Sequence, residues 1–243
     1  VSVSSNPAVE SSLDNYIQFL RFFRGAVTRR DDRVVIESDR PEFTMLIPLQ
    51  PRLADGIESF SGTILAPPWL DDANAWLSGL ARRKVAEIVF MSKPIAAPGA
   101  AEEHGVRVAR TTHEIAEFSL VQSRGFIEDP EEFPHWHAWL EAANLRNHVN
   151  ERCHFLIADR DGQPAAVTLL VESAAACGIY AVATCPEHRR KGLATTLLGA
   201  CEAKARDLGY RTTSLQVYAG TDAHGFYSRK GFTEDYRVAV WRA

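Results

Sequence analysis

The stretch that decides the fold runs from Thr184 to Tyr210, TCPEHRRKGLATTLLGACEAKARDLGY. The apolar run that leads into it, CGIYAVAT (177–184), has the length and content of a buried strand. Behind Gly192, the residues Ala194, Leu197, Leu198, Cys201, Ala205 and Leu208 recur with the 3.6-residue period of an amphipathic helix. Gly209 stands where a left-handed cap would close that helix. Between strand and helix lie Arg189, Arg190, Lys191 and Gly192. Cations at a helix N-terminus oppose its dipole. Two readings stay open at this point. One is a solvated basic helix start. The other is a phosphate cradle, built from unpaired helix N–H groups, nearby cations and a glycine that admits a ligand to the backbone. The order of residues fits neither the G-x-G-x-x-G fingerprint nor a Walker A loop, because Lys191 precedes its glycine.

Working outward, the C-terminal half predicts a mixed α/β unit. VRVAR (106–110) reads as a strand, and Thr111 with Glu114 has capping-box spacing ahead of a helix over THEIAEFSLVQSRGF. Pro130 is expected to open a second helix, PEEFPHWHAWLEAANLRN. HFLIAD (154–159), the turn at Asp161-Gly162, PAAVTLLVES (164–173) and CGIYAVAT (177–184) predict an antiparallel meander. RTTSLQVYA (211–219) is a strand, TDAHGFYSRKGF carries a short helix, and TEDYRVAVWRA closes with a strand.

The N-terminal half alternates helix and strand with softer signals. Leu13, Ile17, Leu20 and Phe23 share one helical face, which Gly25 is expected to terminate. RVVIES (33–38), FTMLIPL (43–49) and GIESFSGTILA (56–66) are strand-like. DDANAWLSGLARRK is read as a helix capped by the Asp71-Asp72 pair, with Ala73, Trp76, Leu77 and Leu80 inward. AEIVFMS (86–92) follows as a buried strand. The Ala-, Pro- and Gly-rich PIAAPGAAEEHG (94–105) reads as a linker, so the expected domains are 1–100 and 106–243.

Composition bounds the function classes. The formal net charge of −4 and the lack of a basic block argue against nucleic acid. No apolar run reaches a bilayer-spanning length, so no membrane partner is expected. Cys153, Cys177, Cys185 and Cys201 form no metal-ligand spacing, and His135 and His137 point apart on a helix, so no metal is expected. Without a leader pattern or a disulfide framework, the expectation is a reduced, cytoplasmic protein.

HRRKGLA resembles the R/Q-x-x-G-x-G/A motif of the GNAT acetyltransferase superfamily, with Arg189, Gly192 and Ala194 in the fixed places. AGTDAHGFYSRKGF is similar to the superfamily's second signature through Ala223, Tyr227, Lys230, Gly231 and Phe232. The resemblance covers roughly 106–243 and implies a GNAT-like α/β fold with a mixed sheet. By the same resemblance, acetyl-CoA is the co-substrate. Its pyrophosphate is expected on Arg189, Arg190, Lys191, Gly192, Leu193 and Ala194. Its pantetheine arm is expected along Val182, Ala183 and Thr184. A small-molecule amine or a peptide N-terminus would attack the thioester directly, and Tyr227 would act as general acid on the departing thiolate. Two departures stand out. Gly220 replaces a frequent asparagine, and Tyr180 occupies a region where many members carry an acidic base. Glu172, Glu187 and His188 are the other candidate bases. Phe133, Trp136 and Trp139 are placed either as packing or as a wall of the acceptor pocket.

The coarse rhythm of the N-terminal half suggests a second, degenerate GNAT-like unit. Its ILAPPWLDDANAW junction has acids and prolines where the other half has RRKGLA. Two alternatives accompany the acetyltransferase expectation: a transferase for a longer acyl-CoA, and a non-catalytic acyl-CoA sensor.

Overall fold

A computed structural model describes residues 7–50, 57, 59–97, 105–174 and 176–243. Along the chain the elements are α1 (Pro7–Phe23), β1 (Ala26–Arg29), β2 (Arg33–Glu37), β3 (Met45–Pro48), β4 (Thr63–Ala66), α2 (Asp71–Gly79) and β5 (Arg83–Pro94). They continue with β6 (Val106–Ala109), α3 (Thr112–Phe126), α4 (Phe133–Asn147), β7 (Cys153–Arg160), β8 (Gln163–Glu172), β9 (Cys177–Thr184), α5 (Leu193–Asp207), β10 (Thr212–Tyr218), α6 (Asp222–Arg229) and β11 (Thr233–Arg242). Most of the expected linker, residues 98–104, lies outside the described residues.

The chain forms two compact units: residues 1–93 with 215–243, and residues 94–214. This division differs from the expected 1–100 and 106–243. The reason is β11, which pairs antiparallel with β5 from Thr233↔Ser92 to Arg242↔Arg83 and with β4 through Ala239↔Ala66. The C-terminal strand therefore completes the first unit, not the second. Its Trp241 donates an indole hydrogen bond to Asn74 of α2 at 3.0 Å. Ala239 and Trp241 are buried in one cluster with Leu46, Ile64, Ala73 and Leu77. Of these, Leu46, Ile64 and Leu77 each stabilise the unit by roughly 1.5–3 kcal/mol.

In the first unit the strand order is β1-β2-β3-β4-β11-β5, followed by the end of β10. The β3–β4 pair is parallel and the β1–β2, β2–β3, β4–β11 and β5–β11 pairs are antiparallel. Helix α1 buries Leu13, Leu20 and Phe23 as its period requires, and Tyr16 and Phe19 join them. The helix ends at Phe23, and the Gly25 N–H donates to the Leu20 carbonyl at 3.2 Å, though without the left-handed geometry of a glycine cap. A Cβ there would lie against the Glu37 carbonyl oxygen, so the glycine lets the chain pass close to β2. Asp71 and Asp72 are the first residues of α2, whose cap position is Leu70 without a side-chain cap bond. The third expected strand shrinks to Thr63–Ala66, and AVTR (26–29) forms a strand that no alternation announced.

In the second unit the order runs from the start of β10 through β9, β8 and β7 to β6. The meander is antiparallel, and the β9–β10 pair is parallel. The Asp161-Gly162 turn has φ of +54° and +76°, the geometry a tight hairpin of this sequence needs. The Thr111–Glu114 capping box is complete at the start of α3. Pro130 precedes α4 without entering it, and Pro134 is the proline of its first turn.

Candidate active site

Strand β9 is irregular where it matters. Its pairing with β8 steps from Val167↔Ala183 to Leu169↔Tyr180 across a register shift. At the shift Ala181 adopts φ +52°, a left-handed conformation unfavourable for alanine. Thr168 holds the distortion by donating its hydroxyl to the Tyr180 carbonyl at 3.1 Å. A bulge of this kind re-aims backbone N–H and C=O groups. On its other side β9 is in register with β10 only through Cys177↔Thr213 and Gly178↔Ser214 among the described residues. Further along β9, Val182, Ala183 and Thr184 have no register partner on β10 among the described residues.

The turn beyond β9 carries two left-handed residues, Arg190 at φ +63° and Gly192 at φ +87°. Gly192 is the cap of α5, with no side-chain cap bond. Helices α3 and α6, in contrast, start on threonine side-chain caps at Thr111 and Thr221. In α5 the first helical bonds are Thr195 and Thr196 N–H to the Gly192 carbonyl, at 2.8 and 3.1 Å. The N–H groups of Leu193 and Ala194 are thus left to the space in front of the helix. A Cβ on Gly192 would meet nothing within 4 Å, so the concavity is open there. Alternating backbone hands with converging N–H groups form an anion nest. Arg190, Lys191 and Gly192 are exposed, and Leu193 and Ala194 are half-buried.

Arg189 does something the motif did not announce. Its guanidinium donates to the Gly125 carbonyl at 2.9 Å and the Thr184 carbonyl at 3.4 Å. It ties the end of α3 to the end of β9 and so shapes the nest from behind. Gly125 itself presses on β9: a Cβ there would sit 2.8 Å from the Ala183 Cβ and 3.1 Å from the Thr184 nitrogen. Neither contact has a local sequence signal.

Of the candidate bases, Glu172 is committed elsewhere. Its carboxylate receives His154 at 2.7 Å and the Tyr210 hydroxyl at 3.2 Å, and it pairs with Cys177 at the opposite end of β9 from Thr184. Glu187 is ion-paired to Arg124 at 2.7 Å. His188 Nδ1 is buried and has no hydrogen-bond partner among the described residues. Cys185 is buried, and burial raises its thiol pKa, which suits a packed side chain and not a nucleophile. In α4, Phe133 lines an open cleft of roughly 330 Å³ with Arg124, Ile127, Glu128, Pro130 and Pro186. Trp136 and Trp139 instead meet edge-to-face at 6.0 Å. His137 lies 3.0 Å from the Ser123 hydroxyl, and no metal-competent cluster occurs among the described residues.

Tyr227 belongs to the first unit, whereas Val182–Thr184 and Arg189–Ala194 belong to the second. It is half-buried on α6, with its ring 5.3 Å from Phe226 and 5.9 Å from Phe232. The start of α6 is pinned. The Gly220 N–H donates to His224 Nδ1 at 3.3 Å, and His224 Nε2 lies 2.9 Å from Glu234. Gly220 has φ +74°, a region open to glycine and tolerated by asparagine, which accounts for the departure noted at this position. No helix among the described residues is long and apolar enough to cross a membrane.

Residues 113–232 match the family model described as the acetyltransferase (GNAT) family. No curated protein matches the sequence. Among solved structures, the chain is similar to a GCN5-related N-acetyltransferase from Kribbella flavida at 12% identity and TM-score 0.65, covering 96% of this chain and 95% of that one. It is similar to a GCN5-related N-acetyltransferase from Sphaerobacter thermophilus at 16% identity and TM-score 0.59, with coverage of 93% and 84%. A tandem GNAT protein from the clavulanic acid biosynthesis pathway aligns at 13% identity and TM-score 0.57, with coverage of 94% and 86%. At these identities the likeness is one of fold, and it extends over both units.

Proposed function

Starting from a chain that belongs to the GNAT superfamily through residues 113–232, we propose that it is an acetyl-CoA-dependent N-acetyltransferase acting on a primary amine of a small molecule or a peptide N-terminus. The observation that carries the reading is the sequence of three features in one unit: a bulged strand edge at Val182–Thr184, a nest at Arg190–Gly192 and an uncapped helix start at Leu193. Acetyl-CoA would supply the acyl group as a thioester. The nest and the α5 N-terminus would hold its pyrophosphate, with Lys191 adding charge. The free edge of β9 would pair with the amides of its pantetheine arm. Arg189 would brace this surface through its bonds to the Gly125 and Thr184 carbonyls and keep its remaining donors for the pyrophosphate. In this reading the Tyr227 hydroxyl holds the proton for the departing thiolate. Among its described residues the first unit offers no comparable cradle, because α2 begins with Asp71-Asp72 after two prolines, and acids at a helix start repel phosphate.

The test is release of free thiol from acetyl-CoA against a panel of amines. Tyr227→Phe should lower kcat by roughly 10²–10⁴-fold, the range for general acid catalysis. The affinity for CoA should stay unchanged. Unaltered turnover in this variant removes Tyr227 from the chemistry.

A further inference from the structure

The second unit carries an open cleft beside the cradle. It holds roughly 330 Å³ and is lined by Arg124, Ile127, Glu128, Pro130, Phe133 and Pro186. All six residues belong to the unit that contains β9 and the nest. Two of them fix its position. Pro186 follows closely on Thr184, the last residue of β9. Arg124 precedes Gly125, which packs against Ala183 and Thr184. The cleft therefore abuts the C-terminal end of β9.

Its walls hold their shape through their own bonds. The Ile127 N–H donates to the Ser123 carbonyl at 2.8 Å, the Glu131 N–H to the Asp129 carboxylate at 2.9 Å and the Phe133 N–H to the Asp129 carbonyl at 3.1 Å. The Phe133 ring stacks on His137 with centroids 5.6 Å apart. Pro130 and Pro186 add rigid apolar surface. A preformed, largely apolar cleft of this size with a few polar groups is the usual form of a small-molecule site.

One residue decides its charge. Arg124 is paired with Glu187 at 2.7 Å, so together they contribute no net charge. Glu128 is exposed, and its side chain forms no ion pair among the described residues. A carboxylate ligand would meet Glu128 as a like charge, and a plain hydrocarbon would leave it unanswered. A cation answers it, and the Phe133 ring attracts a cation as well. An amine attacks only when uncharged, so the reacting amine is not the group that Glu128 holds. We propose that this cleft binds an amine carrying a second, non-reacting cation. That cation lies at Glu128, the hydrocarbon spacer crosses Phe133 and the two prolines, and the reacting amine points to the end of β9. As an acceptor assignment this rests on the transferase reading above; as a cation-selective site it does not.

Calorimetric titrations with cadaverine, hexylamine and ε-aminocaproate test it, each with and without free CoA, which has no acyl group to transfer. The three share an aminopentyl chain and end in an ammonium, a methyl group and a carboxylate. Wild type should bind cadaverine about five-fold more tightly than hexylamine, the scale of a partly solvated ion pair, and ε-aminocaproate more weakly than either. The two equivalent ends of cadaverine give it about two-fold on statistics alone, and Glu128→Gln should reduce its preference to that level. Glu128→Lys should invert the order, with ε-aminocaproate bound most tightly, a result that loss of folding does not produce. Glu131→Gln, on the same loop but outside the cleft lining, should keep the wild-type order. No binding of any of the three, a wild-type preference no greater than the statistical one, a preference that survives Glu128→Gln, or its loss in Glu131→Gln would each overturn the proposal. Failure of the transferase reading is seen separately, as the absence of heat on adding CoA alone while the order of the three amines stands.

Discussion

Gly192 is the residue on which the cradle turns, and its replacement has two separable consequences. Its φ of +87° is left-handed, so any other residue strains the backbone by roughly 1–2 kcal/mol. No atom lies within 4 Å of a Cβ at this position, so the strain comes without a steric clash. Gly192→Glu adds a carboxylate in front of the α5 N-terminus, where an anionic ligand would sit. Gly162 offers a matched control. It has φ +76° and equally open surroundings, but it lies in the β7–β8 turn. The assay is thermal melting of wild type, Gly192→Glu and Gly162→Ala with free CoA, acetyl-CoA, and ATP and NADH for comparison. At 100 times its dissociation constant a ligand adds about 2.7 kcal/mol. For a chain of this size that is roughly 5–11 °C in Tm. Without ligand, both variants should melt lower than wild type by roughly 2–8 °C. With CoA, Gly162→Ala should regain the full increment and Gly192→Glu none of it. A full CoA response in Gly192→Glu would refute the cradle, and loss of response in Gly162→Ala would show that strain alone explains the effect.

Three further outcomes follow from named contacts. All four thiols are buried, with Cys153 and Cys201 pushed up to about 12 by burial, so a thiol reagent should react slowly with native protein and reach four equivalents only on unfolding; Cys185→Ala should keep its activity. Glu114 is held down at about 2 by the Arg110 and Thr111 N–H groups and the Thr111 hydroxyl, so its contribution is full above about pH 4.5 and is lost as pH falls towards 2. Denaturant titrations across that window should show a shallower acid loss in Glu114→Gln, and Thr111→Ala should cost about 1 kcal/mol at neutral pH. Gly125→Ala should cost roughly 1–3 kcal/mol and raise the KM for the acyl donor, because the new methyl drives into Ala183; Ala183→Gly in the same chain should recover part of both, and strict additivity would sink that account.

The legible parts of this protein are those whose physics closes within a few residues. Thr111 and Glu114 announce a cap because both partners of the box lie within one turn, and Asp161-Gly162 announces a hairpin because its backbone hand is set locally. The α5 helix and its Gly209 stop are legible for the same reason. The positions that escaped notice are held from a distance. Gly25 is legible as a helix stop, but its close approach to Glu37 is not. Ala181 is a poor left-handed residue in any local account, and its φ is maintained by the bulge against β8 and the Thr168 hydrogen bond. Arg189 is legible from its motif, but its bond to Gly125 is not, because Gly125 lies on another element far back in the chain.

The largest departure, the assignment of residues 215–243 to the first unit, has a functional consequence. Tyr227 and the motif around it are contiguous in sequence with the cradle, but α6 and β11 are anchored by β4, β5 and the Glu234–His224 contact. The first unit cannot form its sheet without the last strand of the chain. A degenerate unit that neither holds a cradle nor does chemistry would be dispensable if it were merely appended. Here it is the frame on which the proposed acid is mounted, and a strand of ten residues closes it. Deleting the N-terminal half would therefore leave β11 without its partners and Tyr227 without its support, even with every residue of the GNAT motif intact.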